Sequence, residues 1–193
     1  MKTIIISIKI LLIMILLTGV IYPVLITVIG QTAFHQRSNG SLIVMMNKTV
    51  GSELIGQQFK SNQYFSSRPS AIDYNPLPSG ASNLSVTSKE LQLRVRRNTA
   101  EFDSLNQLRE NQIVPSEMLY ASGSGLDPHI SPSAALLQVD RIVKTRNLSE
   151  AARNEIVDII NYSTEGRQLG FLGEERINVL KLNLELDKQF FTR

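Results

Sequence analysis

The hydrophobic pattern of the chain is sharply uneven. From Ile10 to Ile29 it reads ILLIMILLTGVIYPVLITVI, with no charged side chain between Lys9 and Arg37. At about 1.5 Å per residue this run comes to about 30 Å, the thickness of a hydrocarbon core. A helix satisfies its own backbone in lipid, so the run predicts a membrane-spanning helix. Pro23 frees one carbonyl and predicts a kink, which a Thr or a neighbouring helix compensates. The run exceeds the about 7–15 apolar residues of a cleaved signal, and Gly30-Gln31-Thr32-Ala33-Phe34 makes a poor cleavage site. An uncleaved anchor is therefore favoured. Lys2 and Lys9 precede it, while Arg37 and Lys48 are the basic residues that follow closely. The positive-inside rule then puts the amino end in the cytoplasm and the remaining chain outside.

Beyond the anchor the pattern becomes that of a mixed α+β domain. Gln31 to Asn47 reads as a linker with a turn at Ser38 to Gly40, and Ser41 to Met46 as a short first strand. The Pro, Gly, Ser and Asn-rich stretch from Asn75 to Ser85 predicts a long ordered loop. Thr87 and Glu90 have capping-box spacing, and Leu91, Val95, Phe102, Leu105 and Leu108 continue a helical period to about Asn111. Arg94, Arg96 and Arg97 on this helix read first as a solvated face, and otherwise as a patch for an acidic partner or lipid. Pro115 to Tyr120 is a connector, and a glycine-rich loop runs from Ser122 to Ile130. Ser131 caps a helix with Pro132 at its first position, carrying Ala135, Leu136, Val139, Ile142 and Val143 to near Arg146. Ser149 caps another, with Ile156, Val157, Ile159 and Ile160. Ile177 to Leu186 alternates apolar and polar, which argues for a strand with one buried face, while its local propensity is helical, so strand and helix both stay open. The expected organisation is a cytoplasmic amino end (1–9), an anchor (10–29), a linker with the first strand (30–50) and one soluble extracytoplasmic domain (51–193).

Composition narrows the function classes. The formal net charge is +3, but Lys2 and Lys9 stand before the anchor, and the other Lys and Arg nearly balance the 17 Asp and Glu. No surplus of positive charge remains to neutralise phosphates, which argues against nucleic acid as a partner. There is no Cys, hence no disulfide and no thiolate metal site. The chain also has no Trp, and only 6% of its residues are aromatic, thin for a sugar-binding surface.

Single motifs carry little chemistry. Ser124, Asp127 and His129 invite a catalytic triad, but they lie too close in sequence for the usual arrangement and lack the G-x-S-x-G elbow. A loop that positions the following helix explains the same residues. As metal ligands, Asp127 and His129 lack a third at recognisable spacing. No G-x-x-x-x-G-K-[ST] is present, and Gly123 and Gly125 lack the third glycine of a dinucleotide loop. The N-x-[ST] sequons at Asn39, Asn47, Asn83, Asn147 and Asn161 matter only in a eukaryotic secretory pathway.

The motifs in combination say more. Gly51-Ser52-Glu53-Leu54-Ile55-Gly56-Gln57 with Phe59, Tyr64-Phe65-x-x-Arg68-Pro69-Ser70-Ala71, Ser79-Gly80-Ala81-Ser82-Asn83-Leu84, Gly123 to Ser131 and Asn178-Val179-Leu180-x-Leu182-Asn183 follow in this order behind one amino-terminal span. The set resembles the C subunit of the bacterial high-affinity potassium-transporting P-type ATPase, the Kdp complex, over essentially the full chain. The resemblance implies a small accessory subunit in the cell membrane without catalytic residues of its own. Implied partners are a channel-like potassium-translocating subunit, a P-type ATPase subunit and a small single-span subunit. It also implies an aid to assembly and a catalytic chaperone that raises the ATPase subunit's affinity for ATP. A glutamine after the glycine-rich loop is linked to that nucleotide role, and the matching position is Gln138. Read from the residues alone, Gln138 is a packing or interface residue, and an external domain acts on ATP affinity only through the complex. A membrane-tethered ligand-binding or sensor domain shares the layout, and so does a hydrolase using Ser124.

Overall fold

The computed structural model describes residues 2–109 and 111–190. The chain divides after Val50 into two compact units, an amino-terminal one and one beginning at Gly51.

The amino-terminal unit is dominated by one continuous helix, Lys2–Ala33, 32 residues long and apolar enough to cross a membrane. It runs past both ends of the expected span. It consists of α1 (Lys2–Leu16), a wider turn at Leu17–Ile21 and α2 (Tyr22–Ala33), and no side chain of α1 or α2 is buried. The expected disturbance at Pro23 takes the form of that wide turn, in which the Tyr22 N–H donates to the Leu17 carbonyl. Proline offers no N–H, and its ring presses on the carbonyl four residues earlier, so a helix absorbs it by widening just ahead. Within that turn, Thr18 Oγ1 donates back to Met14 O in α1 at 2.7 Å. Where a linker was expected, a single helical turn, α3 (His35–Ser38), follows a break at Phe34. The hairpin β1 (Leu42–Met45) and β2 (Lys48–Ser52) comes next, containing the expected first strand.

The second unit opens with a long irregular stretch and continues with α4 (Lys89–Asn106). The cap of α4 is Ser88, not Thr87: Ser88 Oγ accepts the Leu91 N–H at 3.5 Å. The Thr87 hydroxyl is taken by Ser85, and Glu90 reaches forward to Arg94 rather than back. The helix ends well before Asn111, at Gln107, whose left-handed φ of 53° stops the ladder as a helix terminus requires. The expected Ser131 helix is broken into α5 (Pro132–Leu136) and α6 (Val139–Thr145), with Gln138 at the break. Ser131 and Ser149 cap as the spacing predicts, accepting from Ala134 and Ala152. Helix α7 (Glu150–Ser163) buries Ala152, Ile156 and Ile160, four residues apart, along one stripe.

The tail, which the sequence leaves open between strand and helix, is mostly helix. Only β4 (Ile177–Asn178) is extended, pairing antiparallel with β3 (His129–Ile130), and Val179–Phe190 form a helix, α8. Two periods compete in this segment. Leu180, Leu182, Leu184 and Leu186 alternate, but Val179, Leu182, Asn183 and Leu186 also stand at helical spacing, and that set is buried. Asn178 decides it locally, its Oδ1 accepting the Lys181 N–H at 3.1 Å as a helix cap. The core of the unit is then helix on helix, from Ala134, Val139, Ile142, Ile156, Ile160, Ile177, Leu182 and Leu186 around Phe65.

Candidate functional site

The glycine-rich loop is where the dispersed sequence motifs meet. Gly56 N–H donates to the Leu126 carbonyl at 2.6 Å, and a Cβ on Gly56 would stand 2.7 Å from the Asp127 carbonyl oxygen. Gly125 has φ +69°, and its would-be Cβ lies 2.6 Å from Ile72 and 2.9 Å from the Gly80 carbonyl, so both backbone and space require glycine. Ser70 Oγ donates to the Gly125 carbonyl at 2.7 Å, and the Gly80 N–H to Ser124 O at 3.0 Å. Val179 N–H reaches Pro128 O at 2.9 Å, and Asn178 Nδ2 reaches Glu53 O at 2.7 Å. The loop is thus the hub to which the stretches around residues 51, 68, 80 and 178 are tied.

One side of the hub is an open cleft of about 550 Å³, lined by Arg68, Glu117, Tyr120, Asp127, His129, Glu174, Glu175 and Arg176 among others. Asp127 is its organising group. Its Oδ2 accepts from Arg68 Nη1 at 2.6 Å, and its Oδ1 faces the His129 N–H at 3.0 Å and His129 Nδ1 at 3.2 Å. Burial pushes the Asp127 carboxyl up, but the bonds from His129 and the Arg68 charge outweigh it and hold it below the ordinary carboxylate value. Arg68 is held from behind as well, its carbonyl accepting the Tyr74 hydroxyl, and burial pushes that phenol up to about 12.

Ser124, Asp127 and His129 are not arranged as a triad. His129 turns to Asp127, whereas Ser124 Oγ accepts the Leu126 N–H at 3.1 Å and shapes the loop. Among the described residues no hydrogen bond joins Ser124 to His129, so no base is placed to activate that hydroxyl.

Gln138 lies elsewhere, sealed in the core with no exposed surface. Its Oε1 accepts the Ser66 N–H at 2.7 Å and Arg141 Nη2 at 2.9 Å. Its Nε2 donates to Ala134 O at 3.2 Å and Ser66 O at 3.5 Å. Asn183, on α8, treats the neighbouring residue the same way, accepting the Phe65 N–H at 2.8 Å and donating to Phe65 O at 3.0 Å. Residues 62–66 form a chain segment that no strand among the described residues borders, and buried backbone groups must be paired. Two side-chain amides supply what a strand partner would. Arg141 donates to Asn62 O and Asn106 Oδ1, and Arg146 donates to Gln63 O at 2.8 Å, so side chains serve most of the segment. Burial lowers the Arg141 pKa to about 10, still leaving it a cation.

Sequence reasoning quoted Arg68 and Asn183 within motifs and gave neither a role, and it passed over Arg141. Helical spacing shows Asn183 and Arg141 on the same faces as apolar core residues, which is the available signal. Their partners lie far along the chain and carry no local mark.

The comparisons with known proteins agree with one another. A protein family described as "K+-transporting ATPase, c chain" matches residues 4–188. The chain is 46% identical over 185 residues to the "Potassium-transporting ATPase KdpC subunit" of Leptospira interrogans, covering 96% of this chain and 93% of that one. It is 46% identical over 196 residues to the subunit of that name in Clostridium perfringens, covering 97% and 98%. The corresponding protein of Caldanaerobacter subterraneus is 42% identical over 180 residues, covering 93% and 92%.

Proposed function

The chain belongs to the family of the c chain of potassium-transporting ATPases, and from that premise we propose that it is the accessory subunit of an ATP-driven potassium importer, holding the complex together and raising the ATPase subunit's affinity for ATP without binding nucleotide itself. Its partners in this reading are the channel-like potassium-translocating subunit, the P-type ATPase subunit and the small single-span subunit. The Lys2–Ala33 helix stays uncleaved in the cell membrane as a single span, with the amino end in the cytoplasm. The domain from Gly51 onward sits outside as a cap on the translocating subunit.

The observation that carries this reading is the burial of Gln138. A glutamine with no exposed surface, whose oxygen and nitrogen are both used by Ser66, Arg141 and Ala134, has nothing left to offer a nucleotide. Its substitution acts on ATP affinity by disturbing the domain, and the effect travels as a coupling free energy through the assembled complex. The charged cleft at Asp127 offers hydrogen bonds and charge of both signs, as a polar subunit contact requires.

The test uses the absence of cysteine. Ser124 is exposed, so Ser124→Cys gives a single thiol on the glycine-rich loop. Labelling in intact cells by a membrane-impermeant maleimide is the expected result. Labelling only after lysis would invert the topology and make direct handling of nucleotide the better reading.

A further inference from the structure

The amino-terminal unit carries an exposed feature that anchoring alone does not explain. The chain does not run straight out of the helix. Phe34, at φ −134° and ψ 39°, breaks it, and α3 turns back so that Ser38 Cβ stands 3.5 Å from where a Cβ on Gly30 would be. The side-chain amides of Gln31 and Asn39 exchange hydrogen bonds at 3.3 Å. In a straight helix, residues eight apart are separated by about 12 Å along the axis. The elbow therefore brings Asn39 back level with Gln31, just past the end of the apolar run at Ile29. The hairpin starts three residues later, so its root is fixed at the level where hydrocarbon gives way to headgroups.

Its chemistry suits that level. Leu42 and Val44 are half exposed, and Met46, at the turn, is 95% exposed with φ 48°. A left-handed backbone at a large side chain is strained, and exposing that side chain to water is unfavourable as well. Asn-Gly is what such a turn ordinarily carries. The charges nearby are of one sign: between Lys9 and Glu53 the chain holds Arg37 and Lys48 and no acidic residue. A hairpin rooted at this level and lying along the membrane plane keeps its turn within the headgroup layer, and β1, at about 3.3 Å per residue, carries that turn about 13 Å from the helix.

We propose that the β1–β2 hairpin is a second membrane contact, seated in the headgroup layer of the leaflet where the helix ends, with Met46 at the acyl boundary and Lys48 against lipid phosphates. The hairpin then fixes the rotation and depth of the helix, which a smooth apolar rod leaves free. This rests on the helix remaining in the bilayer, as proposed above.

The full chain is reconstituted into vesicles of phosphatidylethanolamine and phosphatidylglycerol, without the other subunits. Met46→Cys carries a single environment-sensitive fluorophore, and Ile13→Cys, inside the span, carries it as the depth reference. Met46 is so exposed that replacing it removes no packing. The expected result is quenching of both labels by lipid-borne quenchers, shallower at position 46, with Lys48→Glu raising aqueous iodide access there severalfold. A lipid-quenched Ile13 label with an iodide-accessible Met46 label would overturn the hairpin contact alone. So would shielding of the Met46 label that appears only once the other ATPase subunits are added, which would make the hairpin a protein contact. An aqueous Ile13 label would overturn the anchor, and the hairpin contact with it.

Discussion

Two polar clusters of the second unit use similar residues to opposite ends. Around residues 62–66, Gln138, Asn183, Arg141 and Arg146 point inward and hydrogen-bond that segment's backbone, Arg141 also bonding Asn106 and Gln138 and Arg146 also bonding Asp187. Around the glycine-rich loop, Arg68, Asp127 and His129 pair with one another at the edge of an open cleft, with Arg68 and Asp127 23% and 30% exposed at their side chains. The first arrangement uses its polar groups within the domain and sets its shape. The second is open and leaves charge facing outward. A motif residue is therefore not a site residue by membership. Gln138 stands in the first cluster, hydrogen-bonded to both backbone groups of Ser66.

This contrast can be broken by substitution. The largest effect belongs to Asn183→Ala, which orphans the N–H and C=O of the buried Phe65 and leaves a small void; about 2–4 kcal/mol is expected. Urea unfolding of the full chain in detergent reads it, and an unchanged midpoint would deny the clasp any weight. Gln138→Ala should cost about 1–3 kcal/mol by the same measurement, for the same reason. A variant of normal stability whose complex has lost ATP affinity would instead make Gln138 a contact residue. Gly125→Ala forces a Cβ against Ile72 and the Gly80 carbonyl at positive φ, for about 1–3 kcal/mol, visible as a lowered thermal midpoint.

The open cluster should respond to pH more than to truncation. The Asp127 carboxyl is held below its ordinary value, so the stability it contributes is present above about pH 4, the unfolded-chain range, and is lost as pH falls through the folded value. Asp127→Asn should flatten the acid limb of the stability profile and cost less than about 1 kcal/mol at neutral pH, because solvent screens the pair. A steeper acid limb in the variant would reverse the sign of that argument. The smallest effect is that of Glu90→Ala, which removes an exposed i,i+4 pair with Arg94 and should cost about 0.3–0.5 kcal/mol in urea unfolding.

Much of the fold was legible because its causes are local. The apolar run before Arg37 marks a helix long and apolar enough to cross a membrane, and Ser131-Pro132 and Ser149 mark helix starts by hydrogen bonds that close within four residues. The four-residue spacing of Ala152, Ile156 and Ile160 likewise requires no partner to be recognised. The tail stayed open between strand and helix because its leucines satisfy both periods, and the cap at Asn178 tips the balance toward helix.

What tertiary structure alone decided is the identity of partners. Nothing near Gln138 in the chain announces Ser66, 72 residues away, nor does Asn183 announce Phe65, 118 residues away. Asp127 meets Arg68 across 59 residues, and the glycine at 125 is explained only by Ile72 and Gly80 pressing on it. The sequence by itself determined most of the elements, an amino-terminal helix long and apolar enough to cross a membrane and, through the ordered motifs, the family. Folding determined which polar groups are sealed and which face out, because burial and pairing depend on chain segments that only the packed core brings together.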